Sequence, residues 1–267
     1  MEGNVPQAIA VPRPRADRGH WGRLGLAAAG LAAFLLLWES LPRLGLVNAA
    51  LLPPPSAIPS AFWKEVLSGV WFEAVLASLE HYLIGLAVGV GAGVLLGLAS
   101  GMFRAVESAT AWVVRVLRPV PGLAWVPFAI IWFGVQPAAA VFIIAMGVFW
   151  IVFFATQGAV RAVDRDLIEV AQAFGFRSGF ARLVKILLPA STPGILVGVR
   201  TALGQAWMAV VAAEIFGVPG VGQRMMQASS LLSTEIVVVY MLTMAALYGL
   251  FDTAFVALQG WLLRWKP

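Results

Sequence analysis

From Pro119 to Val160 the chain runs for 42 residues without a charged side chain. As helix that is about 63 Å, enough for two passes through a hydrocarbon layer roughly 30 Å thick. Backbone in lipid must satisfy its own polar groups, which leaves helices and closed barrels. Runs of this length without period-two alternation specify helices. A second uncharged run, from Tyr82 to Phe103, is long enough for one more pass. Hydrophobic residues make up 61% of the chain and charged residues 12%, about half the charged share of a soluble domain. The expected fold class is all-α: a polytopic membrane protein with six transmembrane helices.

Taken in order, residues 1–23 hold Arg13, Arg15, Arg18 and Arg23 among Pro and Gly and are expected to form a disordered cytoplasmic tail. Residues 24–80 are expected to carry the first transmembrane helix, about residues 22–41, and an outer-side loop. Trp38 and Pro42 mark an interface there, which fits a permanent anchor better than a cleaved leader ending near Val47-Asn48-Ala49. Ala57–Glu80 is too polar to span and is expected as an outer-side loop with a surface helix. Residues 81–265 form the main membrane domain. Its second span is Tyr82–Phe103, followed by a short inner loop marked by Arg104, Arg115 and Arg118. Two crossings follow, with Gly134-Val135-Gln136-Pro137 as the turn between them. The fifth span is Ser191–Ala213, Glu214–Glu235 is a second outer loop, and Ile236–Leu263 is the sixth span.

Two patterns inside the spans carry structural meaning. Gly85, Gly89, Gly93, Gly97 and Gly101 recur every four residues, a row along one helix ridge that lets a neighbouring helix approach closely. Pro119, Pro121 and Pro127, with Gly122, break the start of the third crossing. Broken helices persist in membranes where they line protein or water, so these prolines and Trp125 are candidates for lining a pathway. With both termini inside, the inner segments carry 14 Lys and Arg and the outer loops 3. That bias fits the positive-inside rule and places residues 161–190 in the cytoplasm. The net charge of +5 is thereby explained by topology, without nucleic acid.

The chemistry is sparse. With no Cys and only His20 and His81, no metal cluster and no cofactor is expected. No Gly-rich loop followed by Lys-Ser or Lys-Thr is present, so the chain itself should neither bind nor hydrolyse ATP. It is not expected to be an enzyme. Arg200 lies within the fifth span, where charge is costly. Three uses are open to it: attracting an anionic substrate, pairing with Asp252 or Glu214, or extending to the inner surface.

Residues 161–190 interrupt the apolar half of the chain with two short amphipathic helices. Asp164 can cap the first, whose apolar face is Leu167, Val170, Ala171 and Phe174, with Gly175 placed to end it. Ser178 can cap the second, with Phe180, Leu183, Val184 and Leu187 on one face, Arg182 and Lys185 on its polar side and Pro189 beginning the exit. Helices this short need a partner surface.

Glu169, Ala171, Gly175, Ile186, Leu188 and Pro189 give the segment a resemblance to the EAA loop of bacterial ABC-importer permeases, whose pattern is Glu-Ala-Ala, three residues, Gly, nine residues, Ile-x-Leu-Pro. Val170 replaces the middle Ala, and ten residues rather than nine separate Gly175 from Ile186. One extra helical residue rotates the remainder of the helix by about 100°; the turn at Phe176–Gly179 is expected to absorb it. The resemblance covers roughly residues 55–265 and is nearest to permeases of the nitrate, sulfonate and taurine type, through RPVPGLAWVPFAIIWFG (118–134), LPASTPGILVGVR (188–200) and YGLFDTAFVALQGWLLRW (248–265).

The resemblance implies a permease subunit in the bacterial inner membrane, with both termini cytoplasmic. It implies a separate ATPase docked on the coupling loop, a periplasmic or lipid-anchored substrate-binding protein, a second copy of the chain, and a small anionic substrate. An ion-coupled secondary transporter using Asp252 and Glu214 is the alternative. An intramembrane enzyme would need clustered nucleophiles or acid–base pairs, and the sequence suggests none.

Overall fold

The computed structural model describes residues 19–176 and 178–265. The expected tail lies outside them as far as residue 18, and its last residues already belong to a helix. The chain divides into two units, residues 1–56 and 57–267. In the first, α1 (Gly19–Arg43) is apolar enough to cross a membrane over Gly25–Arg43. At its end Glu39 accepts hydrogen bonds from Arg43 and from both the N–H and the hydroxyl of Ser56.

The second unit holds α2 (Ile58–Leu67), α3 (Val70–Met102), α4 (Arg104–Leu117), α5 (Val126–Phe133) and α6 (Pro137–Arg161). It continues with α7 (Arg165–Ala173), α8 (Gly179–Arg182), α9 (Leu188–Glu214), α10 (Val221–Ser230) and α11 (Thr234–Leu262). Among the described residues five helices, α1 included, are long and apolar enough to cross a membrane. A sixth crossing is available if α4 and the Gly122–Phe133 segment, bent by 89°, count as one.

The glycine row explains why the bend must still return the chain. A Cβ built on Gly85, Gly89, Gly93, Gly97 or Gly101 would meet Ile144, Val148, Val152, Thr156 or Val160 respectively, each at 2.7–2.9 Å. A glycine groove on α3 thus receives a ridge of β-branched side chains on α6, also spaced by four. Both rows ascend together, so α3 and α6 run parallel. Residues 103–136 must therefore travel back along the bundle between them. α9 lies antiparallel to α6, with Gly194 against Ala159 and Gly198 against Ala155. Tyr82 stacks on Trp207, ring centroids 4.4 Å apart, in a core shared by Ile144, Val148, Val152 and Ala206.

Several expectations are corrected. Ala57–Glu80 is not all outer-side loop and surface helix: the short helix α2 ends before Ser68–Gly69, and residues 70–80 are the opening turns of α3, a helix of 33 residues. Part of their polarity is satisfied inside the protein, with Ser78 and the adjoining His81 buried and the indole N–H of Trp71 bonded to Thr243 (3.0 Å), while Glu73 and Glu80 stay exposed. Residues 104–117 form the amphipathic helix α4 rather than a short loop. The expected break in the third crossing is present, with Pro119 and Pro121 in the link before a 3₁₀ turn at Gly122–Trp125. Pro127 sits in the first turn of α5, where proline is tolerated. Glu214 does not begin an outer loop but ends α9, fully buried.

Candidate functional site

In the 161–190 segment the local signals act as their chemistry dictates. The Asp164 carboxylate accepts the Asp166 N–H (3.0 Å) at the start of α7, and the Ser178 hydroxyl accepts the Ala181 N–H (3.0 Å) at the start of α8. Gly175 has φ 93°, and the Phe176 N–H reaches back to the Ala171 carbonyl (3.0 Å). That closure is a Schellman-type end, which places its C′ residue in the left-handed region where glycine is favoured.

The second helix does not exit at Pro189. Residues 179–214 run without a break through a π-helical turn at Leu183–Leu187 into α9. A π turn takes one more residue than an α turn. The π turn offers a second place, inside the helix, for the extra residue that the Phe176–Gly179 turn is expected to absorb. Two prolines, Pro189 and Pro193, follow within the same helix and each removes a backbone donor. Ser191 and Thr192 hydroxyls bond to the Leu187 and Leu188 carbonyls nearby, which helps the widened turn to persist.

Between the two arms lies an open cavity of about 560 Å³, lined by Leu167, Val170, Ala171, Phe174, Ile186 and Pro189 among others. It brings together three of the residues singled out from sequence (Ala171, Ile186 and Pro189), while Glu169, Gly175 and Leu188 do not line it. Ala171 is buried, but Leu167, Val170 and Phe174 are exposed, Phe174 by 79%. Lys185 covers one edge, its ammonium 4.9 Å from the Phe176 ring.

Among the pathway candidates, Trp125 packs against Phe128 and Phe142, while Pro119, Pro121 and Pro127 are exposed on the chain. Arg200 pairs with Asp252 of α11 through two hydrogen bonds, 2.7 and 2.8 Å, the fork geometry that suits a guanidinium and a carboxylate. That geometry predicts a double-mutant result. Arg200→Gln and Asp252→Asn should each lower folded yield more than the combined substitution does, because each single change leaves one charge unpartnered on the outer face of two membrane-spanning helices. Yield and unfolding midpoint in detergent measure it; a double variant no better than the worse single one would count against the pairing.

Two clusters escaped sequence reasoning. Buried Glu214 accepts from the Ser78 hydroxyl (2.8 Å), His81 Nδ1 (3.0 Å) and the Gly222 N–H (2.8 Å), and Ser78 in turn accepts from the Val221 N–H (2.8 Å). This ties the starts of α3 and α10 to the end of α9. Carrying the four-residue glycine period back one turn from Gly85 lands on His81, the signal that could have found it. Nearby, Glu65 of α2 accepts from Arg224 of α10 (2.7 and 3.0 Å) and from the Tyr240 hydroxyl of α11 (2.8 Å). Those bonds, Arg224's first, hold the Glu65 carboxyl below its ordinary range against the opposing effect of burial.

Among the described residues, an all-helical chain with five candidate crossings, a bent sixth and an amphipathic helical hairpin defines a polytopic membrane protein. Residues 89–266 match the family described as binding-protein-dependent transport system inner membrane component, and the chain belongs to that family. A Bacillus subtilis (strain 168) protein named as an aliphatic sulfonates transport permease, SsuC, is 34% identical over 99% of this chain and 96% of its own length. Its namesake in Escherichia coli (strain K12) is 34% identical, covering 86% of this chain and 88% of that one. The taurine transport system permease protein TauC of the same strain is 29% identical, over 90% and 89% respectively.

Proposed function

We propose that this chain forms the translocation pathway of an ABC importer for a small anion of the sulfonate, taurine or nitrate class. A separate binding protein delivers the substrate, and a separate ATPase supplies the energy. The observation that carries this reading is the exposed apolar face of α7. Leu167, Val170 and Phe174 flank the hairpin cavity with nothing of the described chain over them, the surface that a docked ATPase would cover. The named relatives support the anion class. The 14 to 3 charge bias supports a bacterial inner-membrane location with hairpin and termini on the cytoplasmic side. One hairpin per chain supports a functional unit of two copies, since paired ATPases need two docking elements; co-purification with a different permease in place of a second copy would overturn that. The ion-coupled alternative loses ground because both carboxylates it needs are occupied, Asp252 by Arg200 and Glu214 by its three donors.

The test is Gly175→Val alongside Ala171→Glu. Valine resists the positive φ that Gly175 holds, and a charge at the buried Ala171 should spoil the docking face. The expected result is a normally inserted bundle that no longer retains or stimulates the ATPase, so that transport in reconstituted vesicles stops. Retention of the ATPase with substrate-stimulated hydrolysis in both variants would remove the docking role.

A further inference from the structure

A second cavity, about 590 Å³, lies where the hairpin meets the ends of α3, α4 and α6. Phe103, Arg104, Glu107, Arg161, Arg182 and Ile186 are among the residues lining it. Three guanidinium groups thus border this space against one carboxylate, and that carboxylate is committed: Glu107 pairs with Arg161 at 2.5 Å. Arg104 makes no hydrogen bond or ion pair among the described residues. Arg182 buries its Nε–H with no hydrogen-bond partner among them. A buried charged donor left unpaired is costly, and a turn of the Arg182 side chain toward the cavity that it lines gives that donor room for an acceptor. The first turn of α4 adds to the positive field: its cap residue, Phe103, offers no side-chain acceptor to the leading N–H groups.

We propose that this cavity binds a phosphate-type oxyanion head group, carried by an anionic lipid or by a small soluble phosphate. Arg104 and Arg182 each present a planar fork that matches a tetrahedral oxyanion in two-point contact. Glu107 holds Arg161 at the rim and neutralises it, leaving the other two arginines for the ligand. The site goes beyond the transport reading and does not rest on it. Its consequence is mechanical: an anion held between Arg104 and Arg182 clips the second arm of the hairpin to α4.

The experiment uses the purified full-length chain in a neutral detergent. Phosphatidylglycerol is titrated against phosphatidylcholine, and in a separate arm sodium phosphate against sodium chloride at matched ionic strength. Unfolding midpoint is followed in both arms, and retained lipid is weighed by native mass spectrometry. Stabilisation by phosphatidylglycerol alone assigns the site to a lipid; stabilisation by phosphate without lipid assigns it to a soluble anion. Either supports the proposal if apparent affinity falls about tenfold or more in Arg104→Gln and in Arg182→Gln, the loss expected for a charged hydrogen-bonding partner. Arg182→Lys, which keeps the charge without the fork, should recover part of the binding. Arg115→Gln, whose guanidinium stacks on Trp112 away from the cavity, should bind as the parent does. Failure of both anions to stabilise the chain overturns the proposal. So does undiminished binding by folded Arg104→Gln and Arg182→Gln proteins.

Discussion

Gly89→Leu is expected to leave almost no folded protein in the membrane. A Cβ alone at this position would come within 2.8 Å of Val148 and of the Ala145 carbonyl oxygen. A flexible side chain could move aside, but a backbone oxygen cannot do so without shifting α6. Overpacking a well-packed interior costs about 1–3 kcal/mol; leucine adds a branched group beyond the first clash, so the cost belongs at the top of that range or above it. Against a total stability of about 5–15 kcal/mol, that is a large share. Gly93→Leu should behave alike, with Val152 at 2.9 Å and the Phe149 oxygen at 3.0 Å. Gly91→Leu is the control: it lies on the same helix with nothing within 4 Å of its built Cβ, and should accumulate normally. The readout is the yield of monodisperse protein after detergent extraction. Equal yields from Gly89→Leu and Gly91→Leu would show that the row does not set the α3–α6 distance.

Glu214→Ala is the second large effect, and it acts through polarity rather than volume. The substitution removes one acceptor and strands three buried donors, from Ser78, His81 and Gly222. Each unsatisfied group costs roughly 1–3 kcal/mol where water cannot reach it. The sum is expected to release the 215–233 connection as well as lower the unfolding midpoint. Limited proteolysis should therefore cut within α10 in Glu214→Ala while leaving the parent intact. Glu214→Gln, which keeps one acceptor oxygen and the shape, should fall between the two. A parent-like cleavage pattern in Glu214→Ala would mean that α10 is held by other contacts, Arg224 with Glu65 being the first to examine.

What could be seen in advance divides by range along the chain. The glycine row, the caps at Asp164 and Ser178 and the left-handed Gly175 are short-range signals, each decided by neighbours within a turn or two, and they are legible as sequence. Glu214 meets Ser78 across 136 positions and His81 across 133, and no local pattern announces such a pairing. That blind spot also displaced the start of α3: residues 70–81 look too polar to enter a bundle until their distant partner is known. The same limit applied to Arg200, whose three possible uses could be separated only by finding Asp252 in reach. The π turn was hidden for a different reason. An inserted residue can be absorbed by a loop or a helix, and the choice depends on whether the prolines and hydroxyls downstream can keep a wider turn open.

The uninterrupted helix from Gly179 to Glu214 has a consequence of its own. Its roughly 36 residues make a strut of about 54 Å, with the hairpin at one end and the Glu214 cluster at the other. No loop lies between to take up slack. A push or twist delivered at Ser178 must either travel the whole strut or be spent in its widened turn at Leu183–Leu187, where one hydrogen-bonding step is already out of phase. Those five residues are therefore the place along the strut where such a movement is most readily taken up.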